Sequence, residues 1–366
     1  MNNIGIYIHI PFCEQKCNYC DFYSICDKSE FDRYTEKLIS VIKQSKYTDR
    51  VVDTIYFGGG TPSVLGEKRL VAILNTIKQS FEITKDAEIT LEVNPCSAEY
   101  IDFSVLKSCG FNRLSIGLQS SNEKELKTLG RRHSAKDAQD TVKRARCAGF
   151  DNISLDLMLC IPHQTKNSLT ESIKFCKDCG VEHISAYILK IEENTPFYKI
   201  KNELNLFNDD EQAQFYLHAV EQLDKFGYHQ YEISNFSKPQ YEGKHNLKYW
   251  HDEEYLGFGP SAHSFIDSKR YYYNRSLDDF YNDLIIEDGK GGEIAEYIML
   301  RLRLKEGLKL TNLKDKYNYT VKKSLLTMVN KLCDNQLVTF KNDTIALTTK
   351  GFLVSNSIIN YIIESL

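Results

Sequence analysis

The sequence predicts an α/β protein: an open, six-stranded (β/α)6 partial TIM barrel followed by a smaller C-terminal α+β domain. Three observations predict it. From residue 4 to about residue 190, strand-like runs alternate with helical ones, the pattern of a parallel sheet with helical crossovers. Six strand candidates fall in that span, two fewer than the eight a closed barrel needs. Gly-rich and polar irregularities recur at the carboxyl ends of those strands, where such sheets carry their ligand-binding loops.

The strand candidates are residues 5 to 10, 53 to 58, 87 to 93, 112 to 118, 152 to 158 and 183 to 189. Between them the apolar period is helical: Phe31, Tyr34, Leu38, Ile39 and Ile42 share a face, as do Leu70, Ile73, Leu74 and Ile77. Beyond residue 190 the strand pattern weakens. A helix is predicted over 209 to 226, opened by Asp209, Asp210 and Glu211 and stopped by Gly227. The last seventy or so residues read as helices over 294–304, 311–316 and 321–335, then a hairpin of 337–340 and 344–347, the order of a winged helix. The domain boundaries expected are 1–236 for the barrel, 237–293 for a connecting segment and 294–366 for the winged-helix-like domain. Only Lys322, Lys323 and Lys331 lie on the helix before the wing, too few cations for a phosphate footprint, so this domain is expected to cap the open barrel rather than to bind DNA.

Composition sets further bounds. The chain of 366 residues is 42% apolar, enough for a packed core, and its net charge of −4 is mixed in sign, with no basic stripe for nucleic acid. The first residues carry no positive charge, and no apolar run approaches the roughly 18 residues of a membrane helix. A cytoplasmic location is expected. Eleven scattered cysteines in a chain this long do not form a secreted disulfide framework, and most, such as Cys109, Cys147 and Cys176, read as small reduced packing residues.

Three cysteines differ from the rest. Cys13-Glu14-Gln15-Lys16-Cys17-Asn18-Tyr19-Cys20 follows the first strand directly, with Pro11 ending that strand, so three thiolates can converge on a metal centre from one loop. A mononuclear zinc would need a fourth ligand, and His9 is awkwardly placed for it. A 4Fe-4S cluster held by three cysteines leaves one iron without a protein ligand, where another molecule can bind. A structural zinc and a redox pair are the alternatives.

Other polar residues fall at the same rim. Strand two runs into Gly58-Gly59-Gly60-Thr61-Pro62, strand three ends in Glu92-Val93-Asn94-Pro95, strand four ends in Gly117-Leu118-Gln119-Ser120, and strand five contains Asp156. Singly each has an ordinary explanation. The glycines make a turn, and Glu92, costly to bury unpaired, meets a structural cation such as Arg113. Their gathering at one rim is what suggests a ligand site.

The C-x3-C-x2-C spacing, with Tyr19 before the last cysteine, resembles the radical S-adenosylmethionine (SAM) superfamily. The longer string from Tyr7-Ile8-His9-Ile10-Pro11-Phe12-Cys13 to Cys20-Asp21-Phe22 is similar to the branch holding the oxygen-independent coproporphyrinogen III oxidases and the HemW family of heme chaperones. The resemblance implies a 4Fe-4S cluster on Cys13, Cys17 and Cys20, with SAM on the free iron. It implies SAM contacts from Tyr7, Tyr19, Gly59, Gly60, Thr61, Glu92, Gln119, Arg131 and Asp156. Arg131 is chosen over Arg132 by the family string Leu-Gly-Arg-x-His, here Leu129 to His133. One departure is Cys160-Ile161-Pro162, where the family has Gly-Leu-Pro.

His245-Asn246-Leu247-Lys248-Tyr249-Trp250 resembles an H-N-x-x-Y-W motif associated with heme binding, so His245 is expected as a heme ligand; read from composition alone, the run is packing. Two features place the chain nearer the chaperones than the oxidases. Cys20 is followed by Asp21-Phe22 and not by the oxidases' Gly-Cys, and only twelve residues precede Cys13. The resemblance thus implies a SAM-binding, cluster-containing heme chaperone that passes heme to client hemoproteins at a membrane surface. The alternative it leaves is a coproporphyrinogen III oxidase that decarboxylates two propionates to vinyls. A zinc-stabilised regulator acting through the C-terminal domain is a third.

Overall fold

The structure, a computed structural model, describes residues 3–366. Six βα units build its centre. Strands β1 (Ile4–Ile10), β2 (Val51–Gly59), β3 (Glu82–Val93), β4 (Arg113–Gln119), β5 (Asn152–Leu159) and β6 (His183–Ile188) pair in parallel in chain order. Helices α1 (Phe31–Lys43), α2 (Glu67–Ser80), α3 (Phe103–Cys109), α4 (Glu123–Leu129), α5 (Ala135–Cys147) and α6 (Lys166–Asp178) make the crossovers. Several of them begin or end for a readable reason. Ser134 and Asp137 form a capping box on α5, and Gly110 and Gly130 end α3 and α4 in the left-handed conformation. The predicted apolar stripes are buried, Phe31, Tyr34, Leu38 and Ile42 on α1 and Leu70, Ile73, Leu74 and Ile77 on α2, with Ile39 half-buried at the edge of its stripe.

After β6 the chain forms a short α7 (Pro196–Lys199), the predicted α8 (Asp209–Lys225), and strands β7 (His229–Gln230) and β8 (Asn235–Ser237). It continues through α9 (Lys244–Trp250), β9 (Tyr255–Phe258), β10 (His263–Ile266), β11 (Lys269–Tyr273), α10 (Leu277–Tyr281) and β12 (Ile285–Lys290). The segment 237–293 therefore does more than connect. β9 lies parallel to β1, β10 to β12 extend the sheet antiparallel beyond it, and β8 and β7 line the other edge against β6. Both edges of the six-stranded arc are thus hydrogen-bonded to other strands, and the arc stays open. These added strands are short, rich in Tyr and charge, and lack the apolar alternation that marks β1 to β6.

The C-terminal domain comprises α11 (Ile294–Arg301), β13 (Leu308–Lys309), α12 (Leu310–Tyr317), α13 (Lys323–Asp334), β14 (Val338–Lys341), β15 (Thr344–Leu347), α14 (Thr349–Leu353) and α15 (Ser355–Ile363). Its three strands pair in the order β13-β15-β14, with α12 and α13 inserted before the hairpin, the arrangement of a winged helix. It is stitched to the barrel edge by backbone bonds from Ile233 N–H to the Arg303 carbonyl and from Lys305 N–H to the Tyr231 carbonyl, and by Lys316 Nζ 2.6 Å from Asp252 Oδ2.

Inside the arc the side chains are polar in layers. Period two puts Glu88, Thr90 and Glu92 of β3 on one face, with Thr54 and Tyr56 of β2, Arg113 and Ser115 of β4, and Ser154 and Asp156 of β5. At the amino ends of the strands α9 closes the floor: the amides of Lys244 and His245 donate to the Glu88 carboxylate at 3.1 and 3.0 Å, and Glu88 lies 3.9 Å from Arg113. Gly5 leaves the room for this, since a Cβ there would stand 3.2 Å from the His245 ring and 3.1 Å from Lys248.

Candidate functional site

The cysteine loop is fixed at its base before it reaches its thiols. Phe12 and Ile25 bridge like paired strands, with Cys13 N–H donating to the Ile25 carbonyl at 2.9 Å and Ile25 N–H to the Pro11 carbonyl at 2.8 Å. From the far side the glycine turn grips it: Gly60 N–H donates to the Ile10 carbonyl and Thr61 N–H to the Phe12 carbonyl, at 2.8 and 2.7 Å. Gly60 is required for that approach, because a Cβ would lie 2.7 Å from the Phe12 carbonyl oxygen. The tip is held by Asn18, whose amide donates to the Leu129 carbonyl at 3.1 Å, whose side chain donates to the Thr128 carbonyl at 3.1 Å, and whose carbonyl accepts from Phe197 N–H at 2.9 Å. Arg275 binds Asp21 on the outer side.

Cys13, Cys17 and Cys20 are half-buried and free of disulfides. Thr61 Oγ1 lies 3.4 Å from Cys13 Sγ, and Arg131 donates to Cys17 Sγ at 3.6 Å. Burial pushes the Cys13 thiol up and the Cys20 thiol to about 11, and in each case the other cysteines add to the rise. Iron bound there would be needed to hold them as thiolates. Among the described residues no three His, Cys, Asp or Glu side chains are gathered closely enough for one metal ion. His9, the fourth ligand considered for zinc, is buried with Nδ1 3.1 Å from the Tyr7 hydroxyl and Nε2 3.0 Å from the Tyr23 carbonyl. Three thiols from one loop, with His9 held away by its own hydrogen bonds, fit a cluster with one iron left open.

Across from the loop lie the other residues singled out from the sequence. Tyr56 donates to Glu92 Oε1 at 2.8 Å, and the Tyr56 ring stands 6.2 Å from that of Tyr7. Gly58 separates these three, since a Cβ there would lie within 3.1 Å of Tyr7, Tyr56 and Glu92 alike. Gly59 adopts φ +113°, beside the His9 ring. Burial raises the Glu92 carboxyl to about 7, with Asp156 adding to the rise, while the Tyr56 hydroxyl and the Gly59 amide oppose it. Arg113 does not pair with Glu92; it sits a layer lower, beside Glu88. The Gly60 and Thr61 amides are used on the cysteine loop, so what the turn offers a ligand is its carbonyls and open space.

Arg131 also donates to the Gly117 carbonyl at 2.8 Å, and a Cβ on Gly117 would stand 3.1 Å from both Arg131 and Gln119. Gln119 ends β4 at φ +71°. Asp156 accepts from Ser115 Oγ at 3.1 Å; burial raises its carboxyl, against the pull of Ser185, Ser115, Arg113 and Arg131. Tyr19 packs against the apolar cluster of Leu129, Met158, Ile161, Leu189 and Phe197. The rim thus brings Tyr7, Tyr19, Gly59, Gly60, Thr61, Glu92, Gln119, Arg131 and Asp156 round one mouth with the three cysteines. Tyr56 and Tyr187 join them without having been singled out, and period two, counted back from Gly58 and onward from Ser185, would have found both.

His245 lies elsewhere. It is 1% exposed in the barrel floor, with Nδ1 2.9 Å from Thr54 Oγ1 and Nε2 2.7 Å from the Tyr249 hydroxyl. Both ring nitrogens are thus engaged in the floor, a layer below the cysteine mouth.

An open partial barrel with three thiols on the first βα loop defines a protein of the radical SAM kind. Residues 7–176 match the model of the radical SAM superfamily and residues 293–354 that of the HemN C-terminal domain. The heme chaperone HemW of Bacillus subtilis is 35% identical over 370 residues, covering 96% of this chain and 97% of that one, and HemW of Lactococcus lactis is 32% identical, covering 96% and 95%. The fold superposes on coproporphyrinogen III oxidase (HemN) of Escherichia coli with a TM-score of 0.85 at 21% identity, over 100% of this chain and 91% of that one. The chain belongs to the HemW family of the radical SAM superfamily. A 4Fe-4S cluster and SAM are the cofactors of that superfamily, and bound here the cluster would supply the electron for reductive cleavage of SAM.

Proposed function

We propose that this protein is a heme chaperone that binds heme and hands it to client hemoproteins, with a 4Fe-4S cluster on Cys13, Cys17 and Cys20 and SAM on the facing rim. One observation carries the reading: likeness to curated heme chaperones runs through both domains, over 96% of the chain. The loop agrees with it, since Cys20 is followed by Asp21, which Arg275 binds, with no further thiol beside it. In this reading Tyr7, Tyr19, Gly59, Gly60, Thr61, Glu92, Gln119, Arg131 and Asp156 hold SAM, carboxylates meeting its ammonium and hydroxyls and the arginine its carboxylate. The barrel of 1–236 and the winged-helix-like 294–366 act together, with 237–293 supplying the floor and one edge.

The test is anaerobic. Reconstituted protein should bind heme with a Soret shift and lose it to an apo-hemoprotein, and should give no multiple turnover of coproporphyrinogen III with SAM and reductant. Repeated formation of protoporphyrinogen would replace the chaperone reading with the oxidase one. Delivery at a membrane surface belongs to the same proposal. No helix among the described residues is long and apolar enough to cross a bilayer, and co-flotation with anionic vesicles is the measurement for a peripheral contact.

A further inference from the structure

One charged side chain inside the arc is left without a hydrogen bond. Arg113 is 4% exposed, yet among the described residues its guanidinium donates to no acceptor, and its Nε is buried without a partner. The Glu88 carboxylate stands 3.9 Å from that Nε, an ion-pair distance and not a hydrogen bond, and both its oxygens already accept the backbone amides of Lys244 and His245. Asp156, the other carboxylate whose charge bears on Arg113, accepts from Ser115. Thr90, level with Arg113 on the neighbouring strand, has a buried hydroxyl that also finds no partner. A buried guanidinium is ordinarily paired through its planar fork with a carboxylate or a phosphate, so five donors with nothing in the chain to meet them call for an anion from outside it.

Position decides which anion. SAM has a single carboxylate, and that group belongs with its amine at the open iron, at the mouth where Arg131 stands beside Cys17. Arg113 lies deeper, at the first residue of β4 and two residues before Ser115, with Tyr56 and Tyr231 near it. A ligand that meets it from the chamber must therefore carry a carboxylate beyond the one SAM brings. Heme carries two, on short flexible propionate arms. We propose that Arg113 is a binding residue for heme, its guanidinium fork taking one propionate carboxylate inside the arc, below the SAM rim. The proposal rests on the reading of this protein as a heme chaperone and adds to it the end by which the cargo is held. Because the contact is a charge-assisted, two-pronged one, it distinguishes heme from a heme whose carboxylates are esterified.

The experiment uses full-length, anaerobically reconstituted protein and two probes, hemin and hemin dimethyl ester, each titrated through the Soret band. SAM affinity is read in parallel from the electron paramagnetic resonance change of the reduced cluster. Wild type should bind hemin about tenfold more tightly than the ester. Arg113→Gln should weaken hemin binding about tenfold while the ester and SAM stay within about twofold of wild type, and Arg113→Lys, which keeps the charge without the fork, should fall between. If Arg113→Gln does not fold because Glu88 is stranded, the double variant Glu88→Gln/Arg113→Gln removes both charges and answers the same question. Equal affinity of wild type for the two probes overturns the proposal, as does a Gln variant that keeps the preference for hemin. Weakened SAM binding with hemin binding unchanged gives Arg113 to the carboxylate of SAM and overturns it too. Wild-type protein that binds neither probe removes the chaperone reading itself, a result distinct from these.

Discussion

Glu92 shows how far a residue can be read from sequence and where the reading stops. Its burial was legible, because it interrupts the apolar run Ile89 to Val93. Its partner was not. Arg113 is the obvious cation, but the parallel register sets Arg113 level with Thr90 and puts Ser115 opposite Glu92, leaving the arginine to Glu88. A carboxyl raised to about 7 by burial keeps its proton in the fold while the unfolded chain releases it near 4.5. Stability of cofactor-free protein is therefore lost as pH rises from about 4.5 through 7. Glu92→Gln should melt a few degrees above wild type at pH 8 and level with it at pH 4.5, by scanning calorimetry. Some slope will persist in the variant, because burial raises Glu232 to about 7 as well. Cys160 was legible as a departure from the family's glycine, and its φ of +63° gives the reason for glycine there. Cys160→Gly should leave the melting temperature nearly unchanged, lost packing offsetting relieved strain, while Cys160→Val should cost about 2 kcal/mol in denaturant unfolding, since a β-branched residue is a poor occupant of that conformation.

Elements with a strong period were the most readable. The six strands and the stripes of α1 and α2 follow from alternation and helical spacing. The strands β9 to β12 gain their place because β9 pairs with β1 and the others add on in turn, a long-range event that no local pattern announces. The cysteine loop is an intermediate case: its thiols are plain in the sequence, its clamps are not, because Asn18 reaches α4 across more than a hundred residues. The grip of the glycine turn can be tested on the element itself. Gly60→Ala forces a Cβ against the Phe12 carbonyl and should displace the loop, so iron and sulfide per chain after anaerobic reconstitution should fall to less than half of the wild-type values, with the far-ultraviolet circular dichroism retained.

At the scale of the molecule, the two domains are joined by backbone pairing and by ion pairs, among them one on a fully buried carboxylate. The Asp252 side chain has no exposure, and Lys316, its partner at 2.6 Å, is partly open to solvent. Burial raises the Asp252 carboxyl and Lys316 pulls it back. Lys316→Met should cost about 2 kcal/mol, since it strands a buried carboxyl, and Asp252→Asn in the same chain should restore much of that, measured as urea midpoints of the double-mutant cycle.

The floor laid by α9 also ties distant parts of the chain together. The Glu88 carboxylate takes the amides of Lys244 and His245, more than 150 residues further along, and lies 3.9 Å from Arg113, both side chains being buried. Loosening that helix would strand the carboxylate and the guanidinium together, so the sheet and the segment that underpins it stand or fall as one unit.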